Sequence, residues 1–147
     1  MSDFPNLTSS SMSSPQVANR ALQEDGSLQL AFAIAQAADE RKGADIKILP
    51  VSEVSYLADY FVVITGYSAV QVRAIARNIQ DTIEMDWHRK PIRTEGQTEG
   101  GWVLQDYGEV IIHIFMPEER DFYDLEAFWG HADAIDFATL AAASEAQ

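Results

Sequence analysis

The feature that most constrains this chain is the run Tyr60–Thr65, which reads YFVVIT. Successive side chains of a strand point to opposite faces, and this run is apolar on both. Such a strand belongs in the interior of a sheet, covered on both sides. It leads directly into Thr65-Gly66-Tyr67-Ser68, where Ser68 followed by Gln71 is a capping-box pattern. Val72, Ile75, Ile79 and Ile83 then recur at helical spacing, which predicts a helix from Ala69 to about Met85. A doubly buried strand feeding an amphipathic helix suits a sheet with helices packed on it.

The remaining elements fall around this pair. Ser27 is positioned to cap a helix from Leu28 to about Lys42, with Gly43 as its left-handed stop. Residues 45–51 (DIKILPV) read as a strand that sends Ile46 and Ile48 one way and Asp45, Lys47 and Leu49 the other. Pro91 to Glu95 suits a short edge strand, and GQTEGG at 96–101 a loop. A strand entering at Trp102 turns at Asp106-Tyr107-Gly108-Glu109 and returns from Val110 until Pro117 ends it. Residues 118–129 read as a helix with Phe122, Leu125 and Trp129 as its buried stripe. The order is helix, strand, strand, helix, edge strand, strand, strand, helix, so a mixed sheet with helices packed on it is expected. Residues 1–26, rich in Ser, Asn and Gln, read as a disordered or flexible tail in which 17–22 could form a short helix. The domain proper spans 27–131, and 132–147 is an Ala-rich acidic tail.

Charge narrows the partners. The 147 residues carry 23 acidic and 10 basic groups, a formal net charge of −13. That surface repels nucleic acid and attracts a basic partner, although acidity for solubility is the simpler explanation. Arg73, Arg77 and the His88-Arg89-Lys90 run are the groups from which a basic patch could be built. No apolar run is long enough to span a bilayer, and the N-terminus lacks the marks of a signal peptide or presequence, so a cytoplasmic protein is expected. The absence of cysteine removes disulfides, thiolate zinc sites and a cysteine nucleophile.

Catalytic patterns are missing. Thr65-Gly66-Tyr67-Ser68 at a strand-to-helix junction could hold a phosphate on free N–H groups, but it lacks the second glycine and the Lys-Ser/Thr pair of a P-loop. A metal-dependent nucleotidyltransferase-like enzyme is the alternative this turn suggests, yet such chemistry needs paired carboxylates on a neighbouring strand, and no Asp-x-Asp occurs there. His88, His113 and His131 lie on different elements without ligand spacing. Asp106 and Glu109 flank a turn that needs Asp and Gly for backbone reasons. Neither a metal nor a cofactor is expected, and an interaction protein is favoured over an enzyme. Trp102, Tyr107, Phe122, Tyr123, Phe128 and Trp129, with the acidic run at 118–121, are the groups an interface would use.

Four stretches carry a family resemblance: ADYFVVITG at 58–66 with SAVQVRAIA at 68–76, Glu95-Gly96, WVLQDYGEVIIHIF at 102–115 and PEERDFYDLEAFWG at 117–130. In order and spacing the chain from about Leu28 to Gly130 resembles the ribosomal silencing factor (Iojap-like) family. The resemblance implies a nucleotidyltransferase-like fold without the catalytic carboxylates. It also implies binding to the large ribosomal subunit through its protein fourteen, at the face that meets the small subunit. Bound there, such a factor obstructs subunit joining and represses translation when nutrients are short. By matching position, Trp102 is implied as an aromatic anchor, and Asp106, Glu118 and Glu119 as partners of Lys or Arg. Tyr107 joins them in the turn, and Pro117 fixes the edge carrying the acids. Self-association into a homodimer when free and a secondary contact with ribosomal RNA are further expectations. Gln105, where aliphatic residues are common, and Tyr67, where a small residue is usual, depart from the family pattern.

Overall fold

The computed structural model describes residues 15–130 and 134–145. Its strands are β1 Ala44–Pro50, β2 Tyr60–Thr65, β3 Arg93–Glu95, β4 Trp102–Asp106, β5 Val110–Phe115 and β6 Ile135–Asp136. Its helices are α1 Pro15–Glu24, α2 Gly26–Glu40, α3 Ala69–Trp87, α4 Pro117–Tyr123 and α5 Phe137–Glu145, and a π-helical turn, Glu126–Gly130, follows α4. They form a mixed α/β protein with a six-stranded sheet of order β3-β4-β5-β2-β1-β6.

β2 is interior, as its two-sided apolar pattern requires. It pairs antiparallel with β1 and parallel with β5, from Tyr60↔Val110 to Thr65↔Phe115. Val62 and Ile64 face a core shared with Ile34, Ile75, Ile79, Ile112 and Ile114, beneath α2 and α3. Phe61 and Val63 face a second, smaller core with Leu49, Ile111 and Phe115, against which Trp102, Leu104, Leu125 and Trp129 pack. Burying a Val, Leu, Ile or Phe side chain is worth about 1.5–3 kcal/mol, so the larger core supplies most of the stability.

Several local features differ from the sequence reading. Asp25, not Ser27, caps α2: its carboxylate accepts from the Leu28 N–H at 3.1 Å, while the Ser27 hydroxyl donates to Asp59 at 2.8 Å. At the far end of α2 the left-handed residue is Lys42 (φ 65°). Gly43 is needed for space instead, because a Cβ there would lie 3.0 Å from the Ala38 carbonyl oxygen and 3.0 Å from Ile64 Cγ2. The helix expected over 118–129 is broken at Asp124 (φ 46°), whose N–H bonds to the Arg120 carbonyl. The break turns Leu125 and Trp129 back onto the second core and leaves Phe122 outside, 80% exposed, so the continuous Phe122-Leu125-Trp129 stripe does not form.

The segments at the chain's two ends also contribute. Pro15–Glu24 is a helix with Ala18 fully buried, and Leu140 and Ala143 of α5 join the same core. The Asn19 amide donates to the Ala143 carbonyl at 2.8 Å. β6 extends the sheet by pairing with β1 at Lys47↔Asp136 and Ile48↔Ile135. The expectation for residues 1–14 lies outside the described residues.

Candidate partner-binding surface

The second core leaves an aromatic and acidic corner at one end of the hairpin. Trp102 opens β4 opposite Phe115. Its half-buried ring lies 4.9 Å from Phe115 and 4.5 Å from Tyr123, centroid to centroid. Its indole N–H donates to His113 Nδ1 at 3.1 Å. That bond fixes the imidazole as the tautomer protonated on Nε2, an atom buried without a hydrogen-bond partner among the described residues. Burial pushes the His113 pKa down to about 4, so the ring is neutral at neutral pH.

Pro117, Glu118 and Glu119 open the helix whose start is tied to Gly101, the residue before Trp102. The Met116 N–H donates to the Gly101 carbonyl at 3.0 Å and pins the start of α4 beside Trp102. Pro117 occupies the first turn, where its missing N–H costs nothing. Glu118 and Glu119 follow, favoured there by the helix dipole. A Cβ on Gly101 would lie 2.8 Å from the Glu119 carboxylate, so glycine lets the acid close against the strand. Tyr123 (46% exposed), against Trp102, and Phe122, against Tyr123, extend the corner with apolar surface.

Asp106 and Tyr107 lie apart from it. Four strand steps separate Trp102 from Asp106, about 13 Å. Asp106 accepts from the Gly108 N–H at 2.8 Å within the turn and pairs with Arg93 at 3.4 Å. Tyr107 corrects the sequence reading. It is 1% exposed and belongs to the larger core, on the sheet face opposite Trp102. Its buried hydroxyl has no hydrogen-bond partner among the described residues, and burial pushes its pKa up to about 12. Arg89 donates to the Tyr107 carbonyl and grips Glu109 through both carboxylate oxygens, at 2.7 and 2.8 Å. Those bonds hold the Glu109 carboxyl below its ordinary range. Tyr107 therefore anchors the turn from inside.

Phe122 and Tyr123, both among the groups that the sequence offers an interface, are exposed, although Phe122 was also expected in the buried stripe. Tyr123 packs against Trp102 and Phe115, while Phe122, about 100° further round the helix, is left to solvent.

The turn Thr65-Gly66-Tyr67-Ser68 is structural throughout. Gly66 allows close approach, since a Cβ would lie 2.8 Å from Val72 Cγ2, and its N–H donates to the Phe115 carbonyl. The Ser68 hydroxyl accepts from Gln71 N–H, and the Gln71 side-chain oxygen accepts from Tyr67 N–H at 2.7 Å. The adjoining crevice at the ends of β2 and β5 is lined by Asp45, Asp121, Asp124 and Glu126 around Arg120. Arg120 is spent internally: it donates to Thr65 Oγ1 at 2.8 Å, to Glu126 at 2.7 Å, and lies 3.5 Å from Asp45. Among the described residues no three His, Asp or Glu side chains are placed to hold a metal ion.

Fold and surface together define a mixed α/β domain that exposes an aromatic and acidic corner. The family model described as "Ribosomal silencing factor during starvation" matches residues 24–147. The chain belongs to the ribosomal silencing factor family. It is 40% identical over 102 residues to the ribosomal silencing factor RsfS of Bacillus subtilis, covering 69% of this chain and 86% of that protein. It is 36% identical over 110 residues to the chloroplastic protein Iojap of Zea mays, where the match covers 74% of this chain and about half (47%) of the plant protein. The crystal structure of protein CV0518 from Chromobacterium violaceum superposes with a TM-score of 0.67 at 34% identity, covering 69% of this chain and 84% of that one.

Proposed function

We propose that this protein is a cytoplasmic translational repressor without enzymatic activity. It binds the large ribosomal subunit through its protein fourteen, at the intersubunit face, blocks joining of the small subunit and lowers translation when nutrients are limiting. The observation that carries this reading is the corner where the Trp102 ring, braced by Phe115 and Tyr123, adjoins the helix start Pro117-Glu118-Glu119 tied to Gly101, suited to a basic protein surface. Asp106 extends the same sheet face toward the turn, and Tyr107 supports it from the core. The enzyme alternative finds little support. Of the four carboxylates lining the crevice beside the Gly66 turn, Asp45 and Glu126 are paired with Arg120 and so are not free for the divalent metal that such chemistry needs.

The test is a binding and joining assay with isolated subunits. The protein should co-sediment with large subunits and prevent their association with small ones. Trp102→Ala should weaken binding by about 2 kcal/mol, roughly thirtyfold, if the ring is a buried anchor. Thermal unfolding of the variant controls for the ring's contacts with Phe115 and Tyr123. A folded Trp102→Ala protein with undiminished affinity would remove the corner from the interface.

A further inference from the structure

A second surface lies on the other side of the Gly96–Gly101 loop. Of the ten lysines and arginines, Lys47, Arg89, Lys90, Arg93 and Arg120 are each paired with a carboxylate. The 88–90 run is therefore largely neutralised: Arg89 is clamped by Glu109 and Lys90 lies 3.7 Å from Glu84. Of the five without an ion pair among the described residues, Arg20, Arg41, Lys42, Arg73 and Arg77, the last two share one groove. Both are exposed, one helical turn apart on α3, and neither has an ion-pair or hydrogen-bond partner among the described residues. They line an open groove of roughly 400 Å³ together with Ala76, Gln80, Asp81 and, from the facing loop, Gln97. The groove is built by close approach. Gly100 takes φ +76°, and a Cβ there would lie 2.8 Å from Ala69 Cβ and 3.0 Å from Arg73 Nη1. The Gly100 N–H bonds back to the Gly96 carbonyl, closing the loop against the helix.

The geometry points to a binding site for the phosphodiester backbone of an RNA strand, formed by Arg73, Arg77, Gln80 and Gln97. Two guanidinium groups and two amides converge there, and the arginines offer only donors. Planar guanidinium forks bind phosphate oxygens in pairs. Their separation of about 6 Å along the helix axis is of the order of the step between successive phosphates on a strand. The single carboxylate lining the groove, Asp81, stands one turn beyond Arg77, at the end away from Arg73. In a chain of net charge −13, two unpaired cations facing one groove are a local exception that selects a polyanion. The site rests on the proposed ribosomal role and deepens it. The loop that forms its wall continues into Gly101 and Trp102, so a protein contact at the corner and an RNA contact at the groove can be made together.

The experiment uses the full chain and isolated large subunits. The double variant Arg73→Gln/Arg77→Gln removes two exposed charges. It should lower the slope of log affinity against log salt by about 1.4 to 1.8, the release expected for two phosphates. Trp102→Ala should leave that slope unchanged. The chain contains no cysteine, so Gln97→Cys offers a unique tether for an iron chelate whose hydroxyl radicals cut nearby backbone. Cleavage of ribosomal RNA from that position is the expected result. An unchanged salt slope overturns the groove while leaving the corner standing. Cleavage confined to ribosomal protein assigns the arginines to an acidic protein segment and likewise overturns it. Failure of the unaltered chain to bind large subunits overturns both readings.

Discussion

Trp102 and His113 work as one unit. The indole N–H needs an acceptor when its ring is half-buried, and His113 Nδ1 supplies it at 3.1 Å. The histidine can accept only while neutral, and burial holds it neutral with a pKa near 4. In the unfolded chain the same imidazole titrates near its ordinary 6.5. Between those values the unfolded state binds more protons, so stability rises with pH across the window. The contribution is fully present above about 6.5 and is lost as pH falls toward 4, about 3 kcal/mol in all. Denaturant unfolding at pH 7 and pH 4.5 should therefore show a marked acid loss in the native protein. In His113→Phe that difference should shrink, at the cost of some stability at pH 7 from the orphaned indole N–H. A pH profile unchanged by the substitution would mean that another group drives the acid loss.

At the scale of elements, regular patterns were legible and places where two elements touch were not. The two-sided run of β2 and the stripe of α3 located the sheet centre and its covering helix, because burial imposes those periods directly. Strand alternation already contained the correction for Tyr107: residues 102, 104 and 106 share one face and 103, 105 and 107 the other. The Trp102 and Pro117–Glu119 corner depends on the family resemblance, since nothing local marks an anchor as exposed. The pairing of α1 with α5 was hidden because a short helix with few large apolar groups has no signature until its partner, over a hundred residues away, covers it. The end of α2 shows the same limit. A glycine after Lys42 reads as a left-handed stop, yet Lys42 takes that conformation and Gly43 makes room for β2. Two substitutions separate these roles. Lys42→Gly should stabilise by about 0.5 kcal/mol, the relief of left-handed strain less the added chain entropy and a lost helix-end charge. Gly43→Ala should destabilise by about 1–3 kcal/mol, because its Cβ meets a backbone oxygen that cannot swing aside. Equilibrium urea unfolding distinguishes the two, and the opposite pair of signs would restore Gly43 as the stop.

For the whole molecule, charge separates the two proposed contacts. A net charge of −13 makes the average surface unfavourable for RNA and favourable for a basic protein. Glu118 and Glu119 add to that field at the aromatic corner, while Arg73 and Arg77 reverse it locally across the loop. The protein's approach to the ribosome would then be oriented before contact: the corner is drawn toward basic protein and the bulk of the surface is held off RNA. Rim charges act mainly on the association rate, whereas buried anchors act on dissociation. Neutralising Glu118→Gln and Glu119→Gln together keeps shape and hydrogen-bonding capacity but removes two charges. Association with large subunits, followed by stopped-flow or surface kinetics, should slow several-fold at low salt and lose part of its salt dependence, with dissociation nearly unchanged. Trp102→Ala should show the reverse, a near-normal association rate and faster dissociation. If the glutamine pair instead left association intact and accelerated release, the two acids would be short-range contacts of the interface and not steering charges. The orientation would then have to come from the remaining acidic surface.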